Sequence, residues 1–487
     1  EDHAGLLELD QGLPAGQSIR EALSLDDTAF TLKLTPNRAD CLSILGVARE
    51  VAALNGVTLH LPRAEPVAVT INDHLPVEVN APDLCGRFAG RVIRGVNAKA
   101  KTPDWMCGQR SISALVDISN YVMLELGRPT HVFDLAKVNH GLTVRWGKEG
   151  EQLELLNGQT ITLQPDVGVI ASGSELESLA GIMGGEASAV TLDTTDIYLE
   201  GAFWWPEAIM GRARRFKFSS EASHRFERGV DFANIPQDLE RMTQLILDIC
   251  GGQAGPLDDQ IINLPDRPVV DLRVDRCRLV LGIDVSEQEI GEIFTRLSLP
   301  YQLENGVFKV TPPSYRFDLI IEEDLIEEVA RVYGFERIPD LAPVAPAIMT
   351  MPEETLKGPH ALRAIMALRD YQEVINFSFV EQAWETNYCA NSDPIRLLNP
   401  IASQLAVMRS SLIGGLLANI VHNANRKQSR VRIFELGRVF ERDPAVKEGD
   451  LAVQGVRQPQ RLAAAAWGPA MSEQWGVPDR AVDFYDV

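Results

Sequence analysis

The groups in this chain whose setting most invites chemistry are a lone imidazole, two small polar side chains and one carboxylate. Val116–Asp134 reads VDISNYVMLELGRPTHVFD, so Ser119, Asn120 and His131 stand among apolar residues, with Gly127 and Pro129 forcing a turn between them. A buried polar group costs on the order of a few kcal/mol unless it is hydrogen-bonded, so such a cluster is either paired internally or faces a ligand. Glu200 ends the run DIYLE directly before Gly201-Ala202-Phe203-Trp204-Trp205. A carboxylate beside aromatic rings is poorly solvated and needs a donor, from the protein or from a substrate hydroxyl. From composition alone, a surface strand end is slightly favoured. Between these lies SLAGIMGGEASAV (178–190), where Gly181, Gly184 and Gly185 permit positive φ and close backbone approach to a ligand; a tight turn needs the same glycines.

Two charged clusters offer other chemistry. GRARRFKFSSEASHRFERGVD (211–231) carries Arg212, Arg214, Arg215, Lys217, Arg225 and Arg228, which suit backbone phosphates or an internal network with Glu221, Glu227 and Asp231. In SYRFDLIIEEDLIEEVARVYG (314–334), Asp324, Glu327 and Glu328 share a helix face, while Leu325, Val329 and Val332 form an apolar stripe. With Asp318 upstream, these carboxylates could bind Mg²⁺, form a solvated acidic face or meet basic groups on a partner, and composition favours the solvated face. Arg38 and Asp40 are assigned to holding their loop to the next element.

The elements that must position these groups follow from periodicity and punctuation. Residues 35–56 predict a helix with Asp40 as N-cap, an apolar stripe of Val47, Ala48, Val51 and Ala52, and Gly56 as its stop. Pro62 to Pro82 reads as a linker. The strand candidates are Phe88–Val96, Leu142–Trp146, Thr160–Leu163, Val167–Ala171 and Ile197–Leu199. Gln237–Cys250 is an amphipathic helix stopped by Gly251-Gly252. After Pro265–Pro268 a small module begins, with a capping box Ser286-x-x-Glu289, a helix carrying Ile290, Ile293, Phe294 and Leu297, and a hairpin turned by Asn305-Gly306. It lacks a basic recognition helix, so docking is favoured over base reading. Beyond a Pro/Ala-rich linker at 341–352, a helix His360–Leu368, a strand Glu373–Val380, a helix Leu412–Asn425 and a strand Val431–Leu436 give an α/β pattern, with NANRKQSRVR (423–432) its one basic run.

A length of 487 residues predicts about three or four domains, and a net charge of -22 disfavours a long nonspecific nucleic-acid surface while allowing local basic patches. The six cysteines (41, 85, 107, 250, 277 and 389) show no C-x-x-C pair, which points to reduced thiols in a cytosolic protein without structural zinc. No apolar run reaches the roughly 20 residues of a membrane span, and no signal peptide opens the chain. Starting at Glu1 and stopping at Val487 within an acidic-aromatic stretch, the chain is expected to be a fragment of something longer.

Taken together and in order, TPNRADCLSILGVARE, VDISNY, RPTHVFD, the glycine loop, LEGAFW, GRARR, SSEASHRFERGVD, SYRFDLIIEEDLIEEVARVYGFERIP and VRIFELGRVF resemble the beta subunit of bacterial phenylalanyl-tRNA synthetase. The resemblance spans essentially the whole chain and covers the middle of that subunit. It implies a multidomain α+β fold: a helical/β segment packing on the core at 1–63, a β-rich tRNA-editing module at 65–262, a small helix-hairpin (winged-helix-like) module with the acidic helix at 266–341, and a truncated class II synthetase-like α/β core without its own chemistry at 353–487. The implied activity is hydrolysis of tyrosine wrongly attached to the phenylalanine tRNA, alongside support of an alpha subunit that activates phenylalanine with ATP. The alternative is a non-catalytic scaffold that docks alpha subunits and tRNA around an inactive pocket.

By the same resemblance, Glu200 would accept the phenol proton, with Ala180 and Gly181 closing the other side, and His131, Ser119 and Asn120 would orient water and ester. Asp318, Asp324, Glu327 and Glu328 would hold Mg²⁺ shared with the alpha subunit. The assembly implied is cytoplasmic, with two alpha and two beta chains, tRNA as a partner and no membrane. Ser119 stands where the family more often has Thr, Thr130 and Val132 differ mildly around the histidine, and the chain between Trp105 and Gly108 is several residues short of the family pattern.

Overall fold

The computed structural model describes residues 12–486 apart from 24, 62–63, 104, 107–110, 343, 350, 352–353, 355–356 and 451. The short connection between Trp105 and Gly108 falls largely outside the described residues. The fold is mixed α/β with several sheets, and the chain divides into two compact units, Glu1–Ala342 and Pro343–Val487.

Within the first unit the strand Asp196–Trp204 is central. It pairs antiparallel with Cys85–Arg94 on one side and Thr130–Asp134 on the other. Side chains alternate across a strand, and here both faces are buried. One face carries Tyr198, Ala202 and Trp204, joined by Phe88, Val92 and Phe133, and packs against a second five-stranded sheet through Val144, Val169 and Leu179. The other face carries Ile197, Leu199 and Phe203 and packs against the helices Ala114–Leu126 and Ile235–Cys250 through Leu115, Ile118, Val122, Leu239 and Met242. The order is sheet, sheet, helices.

This double burial corrects the expectation that Glu200 closes a strand at the surface. The strand runs on to Trp204, and Glu200 is at its middle. A second expectation also changes: Ser43 and not Asp40 caps the helix Ile44–Asn55, its Oγ accepting from the Gly46 N–H at 3.0 Å. Asp40 is engaged by the Arg38 guanidinium at 3.1 and 3.0 Å.

The small module has an antiparallel sheet in which Val307–Val310 lies between Val270–Arg273 and Tyr301–Glu304. Asn305 (φ 51°) and Gly306 (φ 76°) form the tight turn of its hairpin. Ser286 and Glu289 make the reciprocal capping box, and Ile290, Ile293, Phe294 and Leu297 are buried with Leu325 and Val329 of the helix Glu322–Tyr333.

In the second unit Val431–Arg438 pairs with Gln372–Glu373 and Gln460–Trp467, and the helix Ile413–Ala424 packs on that sheet. The single strand expected over 373–380 is two short ones, Gln372–Glu373 and Phe379–Val380, in different sheets. Between them Asn376 turns to the buried Glu435 carboxylate, donating from Nδ2 at 2.8 Å, so a side chain replaces the ladder.

Candidate functional site

Three elements converge on one cavity of about 230 Å³ in the first unit. The helix Ala114–Leu126 ends on Gly127 in the left-handed conformation (φ 83°), which turns the chain straight into the strand carrying His131. Arg128, fully buried, fixes that turn: Nε donates to Asp238 at 2.9 Å, and the guanidinium also reaches the carbonyls of Ala202 and Asp231. Burial lifts the Asp238 carboxyl to about 6 despite its arginine partner. At the helix start, Asp117 accepts from Thr102, Ser111 and the Ile112 N–H.

Register then decides the chemistry. Glu200 lies opposite His131 on one neighbouring strand and opposite Gly90 on the other, and directly opposed residues in an antiparallel pair project to the same face. Both side chains line the cavity, together with Ser119, Asn120, Gly181 and Trp204. Glu200 is 6% exposed and makes no hydrogen bond or ion pair among the described residues. Burial alone pushes its carboxyl up to about 8. Burial likewise pulls His131 down to about 4, so its imidazole is neutral at pH 7. Its Nε2 is buried with no hydrogen-bond partner among the described residues, its ring meets Phe133 edge-on at 4.4 Å, and Gly184 leaves it room, since a Cβ there would lie 2.3 Å from Cε1.

The remaining expected residues divide. Asn120 lines the cavity with no side-chain hydrogen bond among the described residues, so its amide is available to a ligand. The Ser119 hydroxyl is already used, donating to the Thr130 carbonyl at 3.0 Å and lying 2.9 Å from the Thr130 hydroxyl. Gly181 takes φ 66° at the cavity wall. Ala180 does not line the cavity; it is buried, and its N–H donates to the Gly168 carbonyl at 3.0 Å.

Sequence reasoning overlooked Ser220, Ser178 and Trp204. Ser220 caps the short helix Glu221–Phe226 and donates to the Ile182 carbonyl at 2.6 Å, clasping that helix to the glycine loop. The Ser220-x-x-Ser223 spacing is the signal that could have found it.

The charged clusters resolve into ion pairs. Arg215 pairs with Asp166 at 2.7 Å, Arg225 with Glu221 at 2.7 Å and Arg228 with Glu227 at 2.6 Å. Asp318, Asp324, Glu327 and Glu328 are not gathered into one oxygen cage, for among the described residues no three of them bring oxygens within 4.8 Å of one another. Glu328, 2% exposed, is bound by Arg316 at 3.0 Å and Arg331 at 2.6 Å. Burial raises its carboxyl, but the two guanidinium groups outweigh that and bring it to about 2. Asp318 is also held by Arg316, at 2.8 Å. Asp324 accepts from the N–H groups of Ile320 and Ile321, and Glu327 is exposed. As a four-carboxylate ligand set for Mg²⁺ these residues do not fit.

The B3/4 domain family matches residues 84–251, the tRNA synthetase B5 domain family residues 270–335, and the phenylalanyl tRNA synthetase beta chain CLM domain family residues 338–487. Over its whole length the chain is 68% identical to the phenylalanine–tRNA ligase beta subunit of Bordetella bronchiseptica. It belongs to that beta-subunit family. The Cupriavidus pinatubonensis and Burkholderia pseudomallei beta subunits are 64% and 60% identical, again over all of this chain. The chain spans 61% of the length of each of these relatives. A solved N-terminal fragment of the Pyrococcus horikoshii beta subunit aligns over 61% of this chain and 84% of its own, at 17% identity and a TM-score of 0.32. Within the beta-subunit family assignment, the cavity lined by Glu200 and His131 falls inside the B3/4 match.

Proposed function

We propose that this chain carries the editing site of a phenylalanine–tRNA ligase, hydrolysing tyrosine esterified to the phenylalanine tRNA, and that it supports the alpha subunit during ATP-dependent aminoacylation. An aromatic pocket shaped for phenylalanine rejects a ligand that merely adds a hydroxyl by only about 100-fold, so a second site must select for that hydroxyl. The single observation that supports this reading is a carboxyl group and an imidazole side by side on one face of a sheet, lining a cavity sized for one small ligand, neither with a hydrogen-bond partner among the described residues.

In this reading Glu200 reads the phenol, and the ester lies toward His131 and Asn120. The ester is already activated, so holding a water in line supplies much of the rate. A base whose conjugate acid ionises near 4 takes up a proton poorly at pH 7. His131 therefore acts as a hydrogen-bond acceptor that orients water or a ribose hydroxyl. Asn120 offers its amide to the ester, and Ser119, bonded to Thr130, positions the strand bearing His131.

The remaining modules serve docking. The segment 1–63, an editing module at 65–262, a winged-helix-like module at 266–341 and a class II synthetase-like core at 353–487 are the divisions we adopt. The exposed apolar side chains of the second unit, Phe377, Leu398, Ile401 and Trp475 among them, suit a partner subunit. Any Mg²⁺ shared with that subunit would find Glu327 exposed, while Asp324 accepts from the Ile320 and Ile321 N–H groups and Asp318 and Glu328 stay with Arg316. Among the described residues no helix is long and apolar enough to cross a membrane; a cytoplasmic site of action suits the proposed reaction.

Incubating the chain with tyrosyl-tRNA of the phenylalanine type tests the proposal. Tyrosine release well above the buffer rate is expected, and a rate equal to buffer would favour the scaffold reading, in which the chain only docks alpha subunits and tRNA.

A further inference from the structure

We propose that Glu200 reads the tyrosyl ring as a neutral carboxylic acid, able to donate a hydrogen bond to the phenol oxygen as well as accept one from its hydroxyl. This rests on the editing reading above and goes beyond it by assigning the protonation state of the recognition group.

The geometry is that of a carboxyl group with nothing to balance a charge. Among the described residues no lysine or arginine lines the cavity. The groups facing Glu200 from each packed element are few. On its own strand there is Tyr198, whose buried hydroxyl has no hydrogen-bond partner among the described residues. On the strand Thr130–Asp134 there is His131, neutral and with its Nε2 unpartnered among the described residues. On Cys85–Arg94 the directly opposed residue is Gly90, where a Cβ would lie 2.0 Å from the Tyr198 hydroxyl, and further along is Cys85, whose thiol is raised by burial and then by Glu200 itself. The helix Ala114–Leu126 contributes only Ser119, Asn120 and Met123. On the short helix Glu221–Phe226 the charged residue lining the cavity is another carboxylate, Glu221, held at 2.7 Å by Arg225.

An ionised carboxylate in such a site would be desolvated without a counter-charge or a donor, which proteins avoid by neutralising the group. The phenol of a substrate brings one donor but no positive charge, so it offsets only part of that cost. A neutral acid has one O–H donor and one carbonyl acceptor, a better match to a phenol than an acceptor alone. A phenylalanyl ring would satisfy neither.

The conservative variant separates the possibilities. Hydrolysis of tyrosyl- and phenylalanyl-tRNA of the phenylalanine type is measured with the full chain, Glu200→Ala and Glu200→Gln, from about pH 6 to about pH 9. Glu200→Ala is expected to lower the preference for the tyrosyl ester by roughly 100-fold. Glu200→Gln, which keeps a donor and an acceptor but cannot ionise, is expected to restore most of that preference. The wild-type preference should hold at low pH and fall as pH rises past about 8, whereas the Glu200→Gln preference should be flat. If Glu200→Ala and Glu200→Gln lose the preference equally, or the wild-type preference rises with pH, Glu200 reads the phenol as a carboxylate and the proposal is overturned while the editing reading stands. If Glu200→Ala leaves the preference intact, the recognition role of Glu200 fails and the proposal with it.

Discussion

Glu200 and His131 are paired residue to residue on adjacent antiparallel strands, and both side chains enter one cavity from the same face of the sheet. They are 69 positions apart in the chain, so their meeting depends on the register of the central strand. A slip of one residue would send Glu200 into the helix-packed core and leave His131 facing a leucine or a glycine.

His131 contributes by accepting a hydrogen bond. His131→Ala should lower the rate of tyrosyl ester hydrolysis by about 10- to 100-fold. The wild-type rate–pH profile should show no inflection near the usual histidine value of about 6.5, because burial holds the imidazole near 4. An inflection near 6.5 that vanishes in His131→Ala would show a conventional general base.

Gly184 is required by the ring it faces. A Cβ at that position would come within 2.3 Å of His131 Cε1 and 2.8 Å of Nε2, closer than real side chains approach. Gly184→Ala should displace the imidazole and abolish most of the hydrolysis, with a loss of stability of about 1–3 kcal/mol from overpacking. Full activity in this variant would mean that His131 has no fixed place in the reaction.

The pocket also sets a pH dependence of stability. Glu200 keeps its proton in the folded chain up to about 8 but loses it when unfolded above the ordinary 4.5, so its contribution falls as pH rises between these values. His131 behaves oppositely: the unfolded chain takes up a proton below 6.5 while the folded chain does so only near 4, so stability falls as pH drops between these values. Glu200→Gln should therefore raise the melting temperature at about pH 8 more than at about pH 5, by an amount corresponding to roughly a few kcal/mol. An equal effect at both pH values would contradict the burial of a protonated Glu200.

Glu328 is a structural ion-pair member. Glu328→Gln leaves Arg316 buried with one charged partner fewer, and should cost roughly 3 kcal/mol, read as a lower melting temperature in the absence of any metal. Since the wild-type carboxyl is held near 2, its contribution is complete above about 4.5 and is lost as pH falls through about 2. A chelator that destabilised the wild-type chain as much as this substitution would restore Glu328 to the metal reading.

Much of this site was legible in the sequence, and the reasons are particular. Ser119, Asn120 and His131 stood out because polar groups inside an apolar helix-turn-strand stretch need partners or a ligand. The Ser286 capping box and the Asn305-Gly306 turn were readable because they are local. Glu200 was misread as a strand end because Asp196–Trp204, buried on both faces, lacks the alternation that marks a half-exposed strand. The role of Arg128 in fixing the turn was invisible, since its partner Asp238 is 110 residues away. For the same reason the arginine-rich segment looked equally suited to phosphate, and Arg215 finds Asp166 only through the fold.

The most direct measurement is a crystal structure of the chain with a non-hydrolysable amide analogue of tyrosyl-adenosine. The phenol oxygen should lie within hydrogen-bond distance of the Glu200 carboxyl group, with the amide that replaces the ester beside Asn120 and His131. A tyrosyl group bound outside this cavity, or inside it with the phenol toward His131 and the amide toward Glu200, would contradict the assignment of this pocket as the editing site.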